Sequence, residues 1–537
     1  VVGCVYGGSI TISSSSGDIS TQDLNSSSSS FSHFGEGGGN GGAITISSTT
    51  GNINTRSLRS GSDAADGNSG NGGAISIAST SGNIRTQSLD STSFSNFNES
   101  GNGGDMSISS ITGNISAQNL SSSSYSLPQE SGNGGDITIS STSGNIRTQD
   151  LDSTSISGRI GSLFDSADSR IDPLRSFLSS VFENHSGNGG DISISSTSGD
   201  VNIGRVDSFS FTFSSKSGNG GAISVATEEG RIVGDESSRL FSSSIALSGE
   251  PTGNGGNVVL QSNKNSGLSI ITLASGGRSG DVDIQSFDNI LVVNDLSIIT
   301  TAQVEIPNPR EPKRTISLDL SNIGQSGNTS LSSSGGIVLN NVNIQGNANG
   351  SQTAGNIIIT SPSQVTFNNS QISSNATNSG AAGSILIEAA RLSLGEGDRL
   401  LATTSDAGTG GTNTINTTES VLLGEGVQDS APIVSVEASD AGRPGNVVIN
   451  TPNFVLSETA SIIATATATA TNSDEGGSID LNANQMDLAG TVGIFAETQG
   501  ESPGGILTLQ PYQANLNNRN AAQPQRPAGA DHQGRSR

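Results

Sequence analysis

The sequence predicts an all-β fold, a three-faced parallel β-helix made of stacked coils, and three observations predict it. The tetrapeptide Gly-Asn-Gly-Gly begins at Gly39, Gly70, Gly101, Gly132, Gly187, Gly218 and Gly253, and four of the six intervals are 31 residues long. Each copy then carries an aliphatic–hydroxyl–aliphatic alternation, as in Ile44-Thr45-Ile46, Ile75-Ser76-Ile77 and Ile137-Thr138-Ile139. A second aliphatic follows Gly-Asn or Gly-Asp, with a Leu five residues later. A unit this small cannot bury its own apolar face, so copies must stack and share one core along an axis.

The first strand is fixed by the glycine pair. Counting from its second glycine (Gly8, Gly42, Gly73, Gly104, Gly135, Gly190, Gly221, Gly256), the second and fourth positions are aliphatic or Met. The residue between them is Ser or Thr in all of these copies but the last, which places aliphatics inward and hydroxyls outward. The second strand begins at Ile19, Ile53, Ile84, Ile115, Ile146 and Val201, and reaches Leu24, Leu58, Leu89, Leu120 and Leu151. Phe94, Tyr125, Ile156 and Phe211 share an offset among serines and mark a third. A ring of 31 extended residues at ~3.3 Å each would be too wide. Some must therefore loop outward, and the serine-rich stretches are the expected place.

Past Gly256 the copies diverge without stopping. Gly-x-aliphatic-x-aliphatic returns after Gly280, Gly327, Gly355, Gly383, Gly411, Gly445, Gly477 and Gly505, and Asn356 to Thr360, Val365 to Phe367 and Gln371 to Ser374 read as successive strands. This gives about sixteen coils and, at ~4.8 Å per coil, a rod of roughly 75 Å. The chain divides into near-regular coils over 1–255, divergent coils over 256–510 and a disordered tail over 511–537. Two insertions interrupt the coils. Asp172 to Phe182 reads as a short helix, with Pro173 in its first turn and Ile171, Leu174, Leu178 and Val181 on one face. Glu305 to Arg314, with three prolines and Arg310, Lys313 and Arg314, reads as a solvated loop and not an anion site.

Composition narrows the function classes. Only 31% of residues are apolar and 3% aromatic, with 72 Gly, which suits a thin core fed by one or two aliphatics per strand. A net charge of −25 argues against nucleic acid as partner, since phosphates demand Lys and Arg. Cys4 is the one cysteine, so neither a disulfide framework nor a multi-cysteine metal site is available. No apolar run reaches the length of a membrane helix, and no signal peptide is legible. The chain starts without Met and enters its first coil within eight residues, which reads as a fragment or processed form.

Candidate chemistry is sparse. Asn52, Asn83, Asn114 and Asn145, flanked by Asp18 and Asp200, would stack at one corner. Their amides serve a left-handed turn in that reading, in preference to a ligand site. Asp105, Asp136 and Asp191 follow Gly-Gly, but Ala43, Ala74 and Ala222 hold the same place elsewhere. Arg85 and Arg147 recur two coils apart, ~10 Å, as strand-surface residues. No carboxylate pair for glycoside hydrolysis is legible. Calcium-binding rolls need an acidic nonapeptide that is absent here, and His33, His185 and His532 lack metal-ligand spacing, so no catalytic, cofactor or metal residue is assigned.

The repeated Gly-Asn-Gly-Gly-x-Ile-x-Ile with Gly-Asn-Ile, and the runs from Gly383 to Leu394 and Gly504 to Pro511, resemble the filamentous-haemagglutinin-like large exoproteins, especially those of cyanobacteria. The resemblance spans about Gly7 to Pro511. It implies a right-handed β-helix, secreted by two-partner secretion through an outer-membrane transporter, with adhesion as the usual role. The family's N-terminal secretion domain and its Asn-Pro-Asn motifs are not found in this sequence. The expected function is a non-enzymatic adhesin or exoprotein rod, secreted or held at the cell surface, without cofactor. It would bind a glycan or protein ligand multivalently through its solenoid surface and Ser-rich loops. The alternatives are a polysaccharide lyase or hydrolase, and an ice- or crystal-binding surface along Thr45, Ser76, Ser107, Thr138, Ser193 and Ser224.

Overall fold

The computed structural model describes residues 6–30, 37–127, 129–158, 185–212, 216–235, 237–246, 252–286, 290–300, 303–308, 311–319, 324–348, 350–405, 407–424, 432–466, 476–497 and 505–517. Among them all regular structure is strand, and the coils form a parallel β-solenoid. On the first face a strand follows each glycine anchor named above, from Ile10–Ser14 to Ile506–Asn517. Each pairs in parallel and in register with the next: Ile44, Ile75, Met106 and Ile137 form one row, and Ile46, Ile77, Ile108 and Ile139 another. These eight side chains are at most 1% exposed, so alternation has sorted them inward as expected. Each fully buried aliphatic contributes about 1.5–3 kcal/mol.

The second face follows the same logic. Ile53, Ile84, Ile115 and Ile146 are stacked, as are Leu58, Leu89, Leu120 and Leu151, and all are buried. Farther along, Ile357–Thr360, Gln364–Asn368 and Gln371–Ser373 are three successive strands, within a residue or two of the expected limits. Ile137–Ser141 pairs directly with Ile192–Ser196, so the long interval between them leaves the ladder unbroken. The helix expected over Asp172 to Phe182 lies outside the described residues.

The third face has the strands that Phe94, Tyr125 and Ile156 mark, and departs from expectation in its serines. Its serines are not outward loops. Ser93–Ser95, Ser124–Ser126 and Ser155–Ser157 are strands in register, and their flanking serines are buried while Phe94 and Tyr125 are half-buried on the outer side. The reason is space. This face lies against the Gly-Asn-Gly-Gly segment of its own coil, where only a short side chain fits and where carbonyls await donors. Ser93, Ser124 and Ser155 hydroxyls donate to Gly70, Gly101 and Gly132 carbonyls at 2.8, 2.8 and 2.7 Å. Buried polar groups must be paired, and here the pairing closes the ring.

Two further boundaries move. The proline-rich insertion is a two-stranded antiparallel ribbon, Gln303–Asn308 with Glu311–Asp319, bulged at Pro307 and Asn308. Residues 511–517, expected in the tail, belong to the last strand, where Pro511 pairs with Ala483 and Leu516 with Leu488.

Candidate functional site

The sequence-derived candidates resolve into ladders of backbone support. Asn52 Oδ1 accepts the Asn83 amide N–H at 2.9 Å, Asn83 that of Asn114 and Asn114 that of Asn145 at 2.8 Å each. Asp18 and Asp200 extend the same chain of bonds at its two ends. The amide-to-backbone role is as expected, but the backbone is not left-handed there. Positive φ among non-glycines falls instead at residues such as Asp295, Asn341 and Asn369, a corner of the divergent coils. A second ladder uses the asparagine of Gly-Asn-Gly-Gly: Asn40 accepts from Asn71, Asn71 from Asn102 and Asn102 from Asn133, at 2.9 Å each.

Asp105, Asp136 and Asp191 work in the same way. Each carboxylate accepts the main-chain N–H one coil on, ending at Ala222, 2.8 Å from Asp191. Alanine can take the last bond of such a ladder but cannot pass it on, so the ladder runs through the consecutive Asp105, Asp136 and Asp191 and stops at Ala222. Arg85 and Arg147 stand on either side of Ser116 in one outward row, and with Gln118 and Gln149 they line a shallow open depression. Among the described residues, His185 included, no group of three His, Cys, Asp or Glu residues able to hold a metal occurs. His33, His532 and Arg310 lie outside the described residues, and at Lys313 and Arg314 only the strand is described.

The register does assemble a cluster that the sequence reading missed. At the corner between the second and third faces, Arg59, Asp90, Ser121, Asp152, Asp207 and Phe241 fall in one row on successive coils. Asp207 is 1% exposed and held by a guanidinium fork from Arg239, with Nε 3.0 Å from Oδ1 and Nη2 2.8 Å from Oδ2. Arg205 Nε also donates to it, and the Arg239 guanidinium lies 5.4 Å from the Phe241 ring centroid. One coil earlier, Asp152 accepts from the Tyr125 hydroxyl at 3.3 Å through Oδ2, while its Oδ1 is buried without a partner. Burial, and then the charge of Asp207, push the Asp152 carboxyl up to about 6. Burial and Asp152 likewise raise the Tyr125 phenol. The one signal for this row in the sequence is an Asp directly after the ladder residue in Leu89-Asp90, Leu151-Asp152 and Val206-Asp207.

Two carboxyls on adjacent coils, one pushed up to about 6 and the other bound by two guanidinium groups, have the unequal surroundings of an acid–base pair. Access decides against that use of them. Asp207 is enclosed by two guanidinium groups and sealed from solvent, so no bulky substrate reaches it; charge-assisted bonds of this kind staple neighbouring coils. No protein-family model, no curated protein and no solved structure matches the chain.

Proposed function

We propose that the chain is a non-enzymatic adhesin-type rod, secreted or surface-exposed, that binds a glycan or protein ligand by many weak, equivalent contacts. One observation carries this reading: the first-face hydroxyls Thr45, Ser76, Ser107, Thr138, Ser193 and Ser224 occupy a single outward row in strict register, exposed or half-buried throughout. Identical groups at one coil spacing suit multivalent attachment, in which affinity accumulates with the number of coils engaged. The display surface is therefore this row and the exposed second-face row of Arg85, Ser116 and Arg147, not the serine stretches, which are largely core. Export through an outer-membrane transporter belongs to the same proposal and draws on the resemblance of the repeats alone.

The polysaccharide-active alternative would have to use the Asp152–Asp207 pair with its arginines, against which the burial of Asp207 weighs. A nested deletion series that removes coils from one end, assayed on cells and glycan-coated surfaces, separates the two readings. Multivalent binding declines stepwise with coil number, whereas a single site is lost at one boundary. Release of sugars from acidic or neutral polysaccharides, abolished by Asp152→Asn, would replace the adhesin with an enzyme.

A further inference from the structure

We infer that the seven Asn-Gly pairs of the repeat corner are a latent modification site: the coil that follows each pair holds it from closing into a succinimide, and the pair reacts when that coil opens. The inference is independent of what the lateral surface binds. It begins with the tetrapeptide Gly-Asn-Gly-Gly, which sets an asparagine before a glycine seven times, first at Asn40 and last at Asn254. The one other Asn-Gly in the sequence, Asn349-Gly350, stands outside this row. In such a pair the glycine nitrogen can attack the asparagine Cγ, because no Cβ hinders its approach and the backbone turns freely. A bond forms from that nitrogen to Cγ, the Cγ–Nδ2 bond breaks, and ammonia leaves with the proton of the glycine N–H. Water then opens the ring at one carbonyl to give aspartate, or at the other to give isoaspartate, whose main chain is one carbon longer.

Burial does not protect these pairs. All seven asparagines are exposed, so water reaches them. What holds them is hydrogen bonding to the next coil. The Gly103 N–H donates to the Asn133 carbonyl at 2.8 Å, and Asn102 Oδ1 accepts the Asn133 N–H at 2.9 Å. Both bonds recur at 2.8–2.9 Å at every pair, up to Asn254-Gly255, whose partner is Arg278. The glycine nitrogen thus has its proton engaged by a carbonyl and cannot turn towards Cγ while the two coils are paired. The bond to Oδ1 polarises the amide in favour of attack, so the glycine bond is the effective restraint. It comes from one side only, the coil that follows, which gives the restraint a direction along the rod. An aspartate formed during opening can resume the ladder, as Asp18 Oδ1 accepts the Asn52 N–H at 2.7 Å at the other corner. Isoaspartate cannot, because parallel coils pair residue for residue and an extra main-chain atom breaks the register. A coil that opens and isomerises therefore stays marked.

Peptide mapping of the 537-residue chain by mass spectrometry, after incubation at mildly alkaline pH, reads isoaspartate at each site. In native buffer each of the seven should form it at least about tenfold more slowly than in urea, since reaction waits on the open fraction of its coil. Ile139→Ala tests the direction, because it removes a fully buried ladder side chain from the coil of Asn133. Loosening that coil frees Asn133 and also Asn102, whose partner it is, so both should react at least about threefold faster than in the wild type. Asn188 and Asn254 keep the coils that follow them and should react at the wild-type rate. If Ile139→Ala loses the circular dichroism of the wild type, the milder Ile139→Val takes its place. Native rates equal to those in urea would overturn the inference, and so would a rise at Asn188 as large as that at Asn102.

Discussion

The near-regular coils and the divergent coils share one backbone device and differ in what they add to it. In both, the anchor glycine N–H donates across the coil to the carbonyl at the start of the third face: Gly104 to Ser91 at 2.9 Å, and Gly411 to Ala402 and Gly445 to Val436 at 3.0 Å. In the near-regular half that residue is a serine whose hydroxyl also donates to an anchor glycine carbonyl, as Ser153 does to Gly135 and Ser208 to Gly190 at 2.6 Å. In the divergent half the same row ends in Ala402, Val436 and Ala464, all fully buried. The neighbouring row passes likewise from Ser93, Ser124 and Ser155 to Ala348, Ala376, Thr404, Ala438 and Ala466, in which Thr404 alone keeps a hydroxyl. One solenoid therefore runs on two core chemistries. The polar one ties serine, glycine and asparagine together by side-chain bonds, so no member changes alone and the repeats stay alike. The apolar one asks only for small volume, and its sequence drifts.

The largest effect should test what the halves hold in common. The inward aliphatic ladder is continuous, so Ile139→Asp and Ile387→Asp should each cost several kcal/mol by burying an unpaired charge. Thr138→Asp, outward on the same strand, should be mild. Solenoids unfold in segments, so hydrogen exchange read per coil is the suitable measurement. A much smaller loss at Ile387 than at Ile139 would mean that the divergent half has no ladder core of its own.

The next effect is a dependence on pH to which each half contributes a strongly shifted buried carboxyl. Asp152 and Asp398 are both pushed up to about 6, chiefly by burial. An ordinary Asp titrates near 3.9, so the folded state holds these protons more tightly than the unfolded state does. Their contribution to stability is full below about pH 4 and is lost as pH rises through about 6. Melting temperature should fall across that window, and Asp152→Asn should flatten the response of the near-regular coils only. The two replacements should differ in cost. Asp152 Oδ1 faces no donor, so an amide is tolerated; Asp398 accepts backbone N–H groups of Ser370 at 2.7 Å and Gly395 at 2.6 Å, and an amide would turn N–H against N–H. A melting temperature in both variants that still falls as in the wild type would remove these carboxyls as the cause.

Much of the fold was legible because the Ile rows and Gly-Asn turns repeat at fixed offsets. The third strand was legible from Phe94, Tyr125 and Ile156, but the burial of the serines beside them was not, because it depends on a glycine segment opposite that leaves room only for so short a side chain. The ribbon over Gln303–Asp319 was hidden by prolines that break the visible alternation of Val304 and Ile306 against Ile316 and Leu318. The acidic corner was not legible because Asp90, Asp152 and Asp207 come together only through stacking register, with Ser121 and a long insertion between them in sequence.

A smaller effect isolates the serine bonds. Ser91→Ala should cost about 1 kcal/mol, the usual net worth of a buried hydrogen bond. Alanine is the native occupant of that row at Ala402, so no packing penalty should be added. Chemical denaturation of a fragment spanning the near-regular coils would read it, and a cost of 3 kcal/mol or more, well above the usual ~1, would show that the hydroxyl and not the backbone clamp closes these coils.

The smallest effect should carry the opposite sign. Thr55, Thr86 and Thr148 form an inward row on the second face, each at most 4% exposed, and none of their hydroxyls has a hydrogen-bond partner. Ala117 sits in the same row between Thr86 and Thr148, so the position requires no hydroxyl. An unpaired buried hydroxyl costs about 1–3 kcal/mol in desolvation, and Val reproduces the shape of Thr without it. Thr86→Val should therefore raise stability by up to about 1 kcal/mol, after allowance for relaxation that already eases the native hydroxyl. The near-regular half would then contain both kinds of polar core residue: serines that are bonded and costly to remove, and threonines that are unbonded and costly to keep. Slower amide exchange in the coils around Thr86 is the expected readout. Faster exchange would mean that this hydroxyl is bonded in solution, and the contrast between the two rows would fail.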